Sequence, residues 1–518
     1  MCCRKSLFLA AGAALLLSGC GGGSSTVAAN TSSAEGALIF NPPFRVASVT
    51  AAEFAANLGT TPTGVALLTV SGPPVCGIDF YRIQYYTVGG AGESTTADGA
   101  LMVPTGLLCE GKQSIVLYAH GTASTKSYDI ADPTTTTNEG SAESALLAAM
   151  FAAHGYIVVA PNYAGYDLSS LPYHPFLIAS QQSKDMMDAL AAARSALGSI
   201  AATGDNGKLF VTGYSQGGHV AMATVRALQA AGKPPTASAP MSGPYATAAF
   251  IDAIFYGDVN LGSTEFFPLI ISGGQHTYNN LYTSTSDIFE AAYANGIDSL
   301  EPGPVPFSTL VAEGKLPLTY LFNSTPPSTG NAQLDGLFVA ITPPMTPAAE
   351  APLFALGFGP TNLVKNSYRV GFIEDALAHP DGVVPTVTNG LPNASALHPL
   401  RQAAVKSDMR TAWAPMTPML LCGGNADPTV FYSLNTQTMQ SYWAPVLTGA
   451  AAALLTVLDV DSPPSGPTDP FAAAKVGFAT AKATVFAAGG QNAVVQNYHG
   501  TLVPPFCTAS ARGFFSQF

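Results

Sequence analysis

A serine in a glycine-rich pentapeptide is the first group in the sequence that could act as a nucleophile. Ser215 lies in Gly-Tyr-Ser-Gln-Gly, residues 213–217, which matches the G-x-S-x-G pattern of a serine held on a sharp turn between a strand and a helix. The pattern alone is weak, but the apolar run 208–212 precedes it and apolar residues at helical spacing follow over 219–228. Because the flanking segments have the order that the turn requires, we expect Ser215 to be a nucleophile.

A serine hydroxyl needs a histidine base and a carboxylate that orients this base. Asp427 follows the apolar run 419–422, at the carboxyl end of a predicted strand, where parallel sheets place functional groups. Asp459 and Asp461 are the nearest alternatives, although carboxylates at a strand end commonly serve only solvation. Asp427 also lies between the serine and the last histidine, as the order of such triads requires. We therefore predict that Asp427 is the acid.

The chain has eight histidines, of which only one follows the last predicted strand. His499 stands immediately before a predicted terminal helix, where its side chain can reach over the sheet edge towards Ser215. His379 and His398 each precede a proline in an irregular region, so we interpret them as structural. The sequence therefore predicts a triad of Ser215, Asp427 and His499.

Acyl transfer also requires N–H donors for the negative oxygen of the transition state, each contributing roughly 3 to 4 kcal/mol. The N–H group of Gln216, directly after the serine, is the first expected donor. The second is expected after the third strand, where the sequence is Tyr-Ala-His-Gly-Thr over 118–122. We assign it to Thr122, with Gly121 as the alternative, and expect His120 to organise this loop.

Strands alternate with helices around these residues. Two β-rich runs, 80–88 and 94–103, flank a glycine-rich turn and predict an antiparallel hairpin. The later predicted strands cover 114–119, 156–160, 208–212, 237–241, 419–422 and 454–460, and the predicted helices cover 142–154, 180–196, 216–230, 470–486 and 501–515. The alternation predicts an α/β fold with a mixed, mostly parallel sheet covered on both faces.

A long insertion interrupts this alternation. Residues 245–410 contain scattered proline, glycine and aromatic residues without a regular order of strands and helices. A gap of this length is not a loop inside a compact domain, so we predict an inserted, mainly helical cap. The two parts of the core then cover 41–244 and 411–518. The apolar cap segments 337–341 and 354–359 suit either an acyl-chain site or the cap's own core.

The first forty residues have the features of an export signal followed by a linker. Two basic residues precede the apolar run 7–17, which is too short to span a bilayer. The run ends in Leu-Ser-Gly-Cys, which resembles the lipobox of bacterial lipoproteins. We therefore expect residues 1–19 to be a signal peptide and Cys20 to carry a lipid, with an ordinary signal peptide as the alternative. Residues 20–40 are predicted to be a flexible tether. The expected location is the outer membrane or cell surface, or otherwise secretion.

Four cysteines remain when the signal peptide is removed and Cys20 carries a lipid. An even number in an oxidising compartment predicts two disulfides, for which four cysteines allow three pairings. We favour Cys76 with Cys109 and Cys422 with Cys507, and buried free thiols are the alternative. Neither a Cys/His spacing for zinc nor a glycine-rich phosphate loop is present in the sequence, so we expect no metal and no cofactor.

The composition excludes several classes of protein. Apolar residues make up 47% of the chain and charged residues 10%, which excludes a disordered or coiled-coil protein. Without residues 1–19 the chain has 18 basic and 32 acidic residues, a net charge of −14, which disfavours a nucleic-acid partner. A surface so poor in charge tolerates contact with apolar material.

Several motifs together resemble the secretory-lipase type of α/β-hydrolase, the group that includes the Candida lipase A-like enzymes. They are HGT at 120–122, APNYAGY at 160–166, HPFL at 174–177, GYSQGG at 213–218, GGNADPTV at 423–430 and YHG at 498–500. The resemblance runs from about residue 118 to the C-terminus. It implies an α/β-hydrolase fold with a large cap over the acyl chain, and Ser215, Asp427 and His499 as the triad. Asn162 departs from the pattern, since we expect Asp there as often.

These features lead us to expect a monomeric serine carboxylester hydrolase, a lipase or esterase that cleaves small-molecule, lipid or polyester esters through an acyl-enzyme. A serine peptidase of the prolyl-oligopeptidase type shares the motif and the triad order. It usually needs an N-terminal propeller, and fewer than eighty residues precede the first predicted strand of the core. The third hypothesis is a non-catalytic surface-binding lipoprotein. The presence of all three triad residue types in the expected order disfavours it.

Overall fold

A nine-stranded sheet forms the centre of the computed structural model, which describes residues 34–200 and 203–518. The strands are β1 (Phe44–Val49), β2 (Gly77–Val88), β3 (Ser94–Thr105), β4 (Gly111–Ala119), β5 (Ile157–Pro161), β6 (Thr203–Tyr214), β7 (Ala237–Met241), β8 (Met419–Gly423) and β9 (Leu455–Asp459). Their order in the sheet is β1-β2-β3-β5-β4-β6-β7-β8-β9, with β1 to β3 antiparallel and β4 to β9 parallel.

The parallel strands are short apolar runs because both of their faces are covered. All residues of β5, β7 and β8 are buried. In β4 and β6 the carboxyl-terminal halves are fully buried, unlike most of the first halves, and the register there pairs Ala119 with Gly213. The predicted fold class, a mostly parallel sheet with helices on both faces and an antiparallel N-terminal hairpin, is confirmed.

The helices of the first core part are α1 (Ala51–Leu58), α2 (Pro62–Ser71), α3 (Gly140–Met150), α4 (Ala179–Ile200) and α5 (Gln216–Ala230). Sequence patterns did not predict β1, α1 or α2. β1 is an edge strand with no steady alternation of buried and exposed residues. Apolar residues are spread around α2, so neither element shows a strong period.

The insertion between β7 and β8 is helical and contains a second hydrophobic core. Its helices are α6 (Thr247–Phe255), α7 (Ser263–Tyr278), α8 (Phe307–Ala312), α9 (Ala332–Ala340), α10 (Ala351–Ala355), α11 (Asn366–Ala378) and α12 (Pro399–Ser407). Arg369 is buried in this core, where its guanidinium lies 4.4 Å from the Phe322 ring centre and its Nε–H donates to Phe255 O. Aromatic faces and carbonyl oxygens thus stabilise a buried cation.

The last core part has α13 (Thr438–Trp443), α14 (Ala472–Asn497) and α15 (Val503–Phe515). α14 is longer than the predicted helix and contains a kink at Gly490, where φ is +70°. A π-helical turn, Tyr498–Leu502, joins α14 to α15.

The tether predicted over residues 20–40 is too long by several residues. Gly36 N–H donates to Tyr86 O and Ile39 N–H donates to Gln84 O, each at 2.8 Å. The chain from residue 34 to 40 is therefore attached to β2, because backbone pairing can fix a segment whose composition resembles a linker. The predicted signal peptide 1–19 and Cys20 lie outside the described residues.

Two disulfides are present in the pairing that we favoured. Cys76 is bonded to Cys109 and Cys422 to Cys507, with Cα–Cα distances of 5.8 and 5.6 Å. The second bond joins β8 to α15. No described helix has both the length and the apolar character needed to cross a membrane.

A cap segment is hydrogen-bonded to the loop that follows β4. Gly303 N–H donates to Ser124 O at 3.0 Å, and Lys126 N–H donates to Gly303 O at 2.7 Å. Two short bonds of this kind fix the cap segment against the core loop on which Thr122 lies.

Glu301 is buried beside this contact. It is 4% exposed, and neither of its carboxyl oxygens has a hydrogen-bond partner among the described residues. Burial, followed by the negative charges of Glu265 and Glu139, raises the pKa of Glu301 to about 9. The side chain is therefore neutral at pH 7.

Glu301→Gln is expected to stabilise the protein increasingly as the pH rises. The unfolded chain loses this proton near pH 4.5, whereas the folded protein keeps it to about pH 9. Between these values the unfolded state binds fewer protons, so stability falls with rising pH, and a neutral amide removes this loss. Thermal unfolding should show the variant more stable by up to about 5 kcal/mol at about pH 8.

Near pH 4 the two proteins should differ least. The exposed Glu374→Gln is the control and should leave the pH profile of the wild type unchanged. A constant difference between Glu301→Gln and the wild type across this pH range would contradict the buried, protonated state.

Candidate active site

Ser215 occupies the turn between β6 and α5 in a backbone conformation that side chains rarely adopt, with φ +60° and ψ −125°. The turn is sharp because neighbouring backbone segments lie very close to it. A Cβ on Gly217 would lie 1.9 Å from Ala119 O, and one on Gly213 would lie 2.3 Å from Gly217 O. Neither position has room for a side chain, so both residues of the pentapeptide must be glycine.

The structure brings the three predicted triad residues together. His499 Nε2 lies 2.8 Å from Ser215 Oγ, and His499 Nδ1 lies 2.7 Å from Asp427 Oδ2. A neutral imidazole in this position donates its Nδ1–H to the carboxylate and accepts the serine proton at Nε2. The arrangement can therefore take a proton from the serine hydroxyl and stabilise the charge that this transfer creates.

Each partner is held by further hydrogen bonds. Asp427 Oδ1 accepts the N–H groups of Thr429 and Val430 at 2.9 and 3.0 Å, which leaves Oδ2 for the histidine. Tyr214, the residue before the serine, donates its hydroxyl to His499 O at 2.6 Å. Hydrogen bonds in the loop that carries Asp427 and in the π-helical turn that carries His499 thus hold the triad in place.

The two alternative acids have structural partners. Asp459 accepts the side-chain amide of Asn425 at 2.7 Å. Asp461 accepts the Tyr498 hydroxyl at 2.7 Å and forms an ion pair with Lys482. Both support the loop that carries Asp427, and the structure places neither of them against the histidine ring.

The two predicted oxyanion donors lie beside the serine. Gln216 is the first residue of α5, so its N–H has no acceptor within the helix. Thr122, Ser215 and Gln216 line the same cavity. The N–H of Gly121, the alternative donor, is instead donated to Glu143 Oε1 at 3.3 Å. The geometry therefore favours Thr122.

Glu143 connects three groups of the loop after β4. Besides the Gly121 N–H, it accepts the hydroxyl of Tyr118 at 2.6 Å and that of Tyr128 at 2.9 Å. The sequence gave no signal for this role, because Glu143 lies on α3 and reaches the loop only through the fold. Its carboxylate can fix the direction of the peptide groups around Thr122.

His120 lies in the same loop, and its two ring nitrogens contact Gly121 O at 2.6 Å and Asn162 O at 3.0 Å. Its ring stacks between those of Tyr128 and Tyr163, at centroid distances of 4.3 and 4.1 Å. Burial lowers its pKa. His120 thus has the surroundings of a residue that orders the loop.

His174 is a second residue that sequence reasoning did not assign, although its motif was noted. Burial lowers its pKa to about 3, so the ring is neutral. Its Nδ1–H donates to Ala164 O at 2.9 Å, and its Nε2 accepts the side-chain amide of Gln216 at 2.8 Å. His174 therefore fixes the residue that supplies one oxyanion donor.

Asn162, the departure from the family motif, lies in a structural network. It donates to Asp98 Oδ2 and Asp129 Oδ1 and accepts the Ile130 N–H. Asp98, Asp129 and Asp167 form the one carboxylate group among the described residues whose oxygens, within 4.8 Å of one another, could hold a metal ion. Arg82 forms ion pairs with this group, and none of its members lines the cavity at Ser215. We assign the group to loop structure.

An apolar cavity opens at Ser215. Its walls come mainly from α6 and α7 of the cap, with further residues from the core. The apolar lining residues are Phe176, Leu177, Phe250, Ile251, Ile254, Phe255, Phe266, Phe267, Ile270, Leu321, Leu400 and Val430. The cap segments 337–341 and 354–359 do not line it, and Phe338 and Phe358 belong to the cap's own core.

Known structures share this fold. The rice cell wall degrading esterase LipA of Xanthomonas oryzae is 22% identical over 94% of this chain and 100% of its own, with a TM-score of 0.66. A provisionally assigned hydrolase of Legionella pneumophila is 17% identical over 93% of this chain and 97% of its own, with a TM-score of 0.58.

Lipase A of Candida antarctica is 12% identical over 82% of this chain and 76% of its own; its TM-score of 0.46 is too low to bear on the assignment. No protein-family model and no curated protein sequence matches the chain. The first two similarities show that this chain shares the fold of these two proteins, a mixed sheet with helices on both faces.

In an assay with the ester substrates that the sequence predicts, Glu143→Ala is expected to lower kcat by about tenfold to a hundredfold with little change in KM. The reason is that a misplaced Thr122 N–H affects the oxyanion, which exists only in the transition state. The affinity for a trifluoromethyl ketone, a mimic of that state, should fall in parallel. Glu143→Gln keeps one acceptor oxygen and should restore part of the rate. Equal losses in kcat/KM and substrate affinity would show a merely structural role.

Proposed function

We propose that this protein is a serine carboxylester hydrolase, a lipase or esterase. The observation that carries the proposal is the chain of hydrogen bonds from Asp427 through His499 to Ser215 at the mouth of an apolar cavity. A reactive hydroxyl beside a cavity without charged side chains suits the acyl group of an ester.

In the proposed reaction, Ser215 Oγ attacks the ester carbonyl while its proton moves to His499 Nε2. The N–H groups of Gln216 and Thr122 stabilise the negative oxygen of the tetrahedral intermediate, and Asp427 stabilises the imidazolium. His499 then gives the proton to the leaving alcohol, which leaves an acyl-enzyme on Ser215. Water activated by the same histidine releases the acid.

The lining of the cavity supports a proposal for the substrate class. Twelve of its lining residues are large apolar side chains, as in sites that bind ligands with apolar groups. The polar groups that line it are concentrated near the serine and the loop after α6. We therefore propose esters with an apolar acyl chain, lipids and polyesters included, as substrates.

The alternative functions are less well supported. A prolyl-oligopeptidase type peptidase usually has a propeller, and residues 34–200 and 203–518 form one sheet and a helical cap without repeated blades. A binding protein without activity has no need for the three hydrogen-bonded triad groups. The esterase named above is described as degrading the rice cell wall, but its low identity to this chain transfers only the fold.

We also propose that the protein is exported and lipid-anchored through Cys20. The support is the sequence pattern of residues 1–20, together with two disulfides, which are typical of proteins that fold outside the cytosol.

Purified protein should hydrolyse p-nitrophenyl acyl esters, and Ser215→Ala should lower kcat by roughly four to six orders of magnitude, because no other group supplies the nucleophile. Ser516→Ala, at an exposed serine near the C-terminus, is the matched control and should keep wild-type rates. Hydrolysis that survived Ser215→Ala would refute the assigned nucleophile. Preferential release of p-nitroaniline from peptide anilides would favour the peptidase instead.

A further inference from the structure

The turn between β3 and β4 exposes apolar side chains to an unusual degree. Leu107 is 94% exposed and Leu108 84% exposed, the two highest values among the large apolar residues of the described chain. Single exposed apolar residues are common on protein surfaces, but two adjacent leucines at the tip of a turn form a protruding apolar surface.

The turn is also rigidly held. Cys109 and Glu110 both donate their N–H groups to Gly106 O, at 2.8 and 3.1 Å. The disulfide of Cys109 with Cys76 then brings Val75, which is 54% exposed, to the base of the turn. We call Val75, Leu107 and Leu108 the apolar turn. Because it is held in place, little conformational freedom is lost when it is buried.

The apolar turn lies at the end of the sheet opposite the candidate active site. β4 begins at Gly111, directly after the turn, and β4 and β6 run in parallel up to the pair Ala119 and Gly213. Ser215 follows this pair by two residues. At about 3.3 Å per residue, roughly 30 Å of sheet separates Ser215 from the turn.

We propose that the apolar turn inserts into the surface of the lipid bilayer that carries the lipid on Cys20, so that Ser215 faces away from this bilayer. The inference rests on the proposed lipid attachment and is independent of the proposed ester hydrolysis. We choose a lipid bilayer as the partner of the apolar turn because the chain before residue 34 is predicted to begin, after cleavage, at the lipid-bearing Cys20.

The length of that outer chain permits the arrangement. Residues 20–33 span at most about 50 Å when extended. The chain joins the sheet at Gly36, which is bonded to Tyr86, while the turn lies at the other end of β2, beside Gly77. The distance along β2 is roughly 30 Å, so a lipid on Cys20 and the apolar turn can occupy the same bilayer.

The charges near the turn are balanced, since Glu110 and Lys112 carry opposite signs. Binding should therefore depend on burial of apolar area and only weakly on salt. The orientation also has a consequence for substrates. Esters would reach Ser215 from the side away from the membrane, so the lipids of the anchoring bilayer would not be substrates.

Flotation with phosphatidylethanolamine/phosphatidylglycerol vesicles tests the proposal. The protein is the chain from residue 20 with Cys20→Ser, so that no attached lipid contributes to binding. It should float with the vesicles, and the bound fraction should change little in 0.5 M NaCl. The double change Leu107→Ser and Leu108→Ser should weaken binding about tenfold or more.

The matched control replaces two exposed apolar residues of the cap, Val387→Ser and Leu397→Ser, which are 74% and 69% exposed. It should bind vesicles like the parent. Hydrolysis of a soluble ester reports that each variant is folded, and its absence in every protein would refute the hydrolase proposal alone. Tryptophan emission of Leu108→Trp should shift to the blue with vesicles.

Three results would overturn the proposal. The first is that the parent and the Leu107/Leu108 double variant bind vesicles equally. The second is that the parent does not bind and the emission of Leu108→Trp does not shift. The third is that salt releases the parent from the vesicles.

Discussion

The turn at Ser215 exists because three backbone segments approach each other more closely than side chains permit. Gly217 faces the carbonyl of Ala119, and Gly213 faces both this carbonyl and that of Gly217. β4, β6 and the start of α5 therefore meet with no space between them. The serine is forced into a positive φ, and this conformation points its hydroxyl out of the sheet towards the cap cavity. The other groups of the site act on this hydroxyl, so their positions depend on this one steric constraint.

The base and the acid reach the serine from segments far along the chain, and a covalent bond joins the elements that carry them. Cys422 lies near the end of β8, just before the loop of Asp427, while Cys507 lies in α15, just after the turn of His499. The disulfide between these cysteines limits how far the two loops can separate. A hydrogen bond of 2.7 Å between groups 72 residues apart is thus supported by the architecture as well as by its own strength.

The sequence predicted the triad because its residues follow recognisable strands in a required order. It left the second oxyanion donor open between Gly121 and Thr122, since the choice depends on a hydrogen bond from Gly121 to Glu143, 22 residues away. The role of His174 was missed for the same reason, because its contact with Gln216 arises only in the fold. The predicted tether extends to residue 40, since composition cannot reveal that residues 34–40 pair with β2. Local patterns thus predicted most strands and helices of the core and the reactive groups, while long-range contacts determine which residues support them.

The most direct test of the account is a crystal structure of the protein inhibited by a long-chain alkyl phosphonate. The account predicts a covalent bond from phosphorus to Ser215 Oγ, with the phosphonyl oxygen about 3 Å from the N–H groups of Gln216 and Thr122. The alkyl chain should lie in the cavity between α6 and α7, among residues such as Phe250 and Ile270. An adduct on another residue, or a phosphonyl oxygen turned away from both N–H groups, would contradict it.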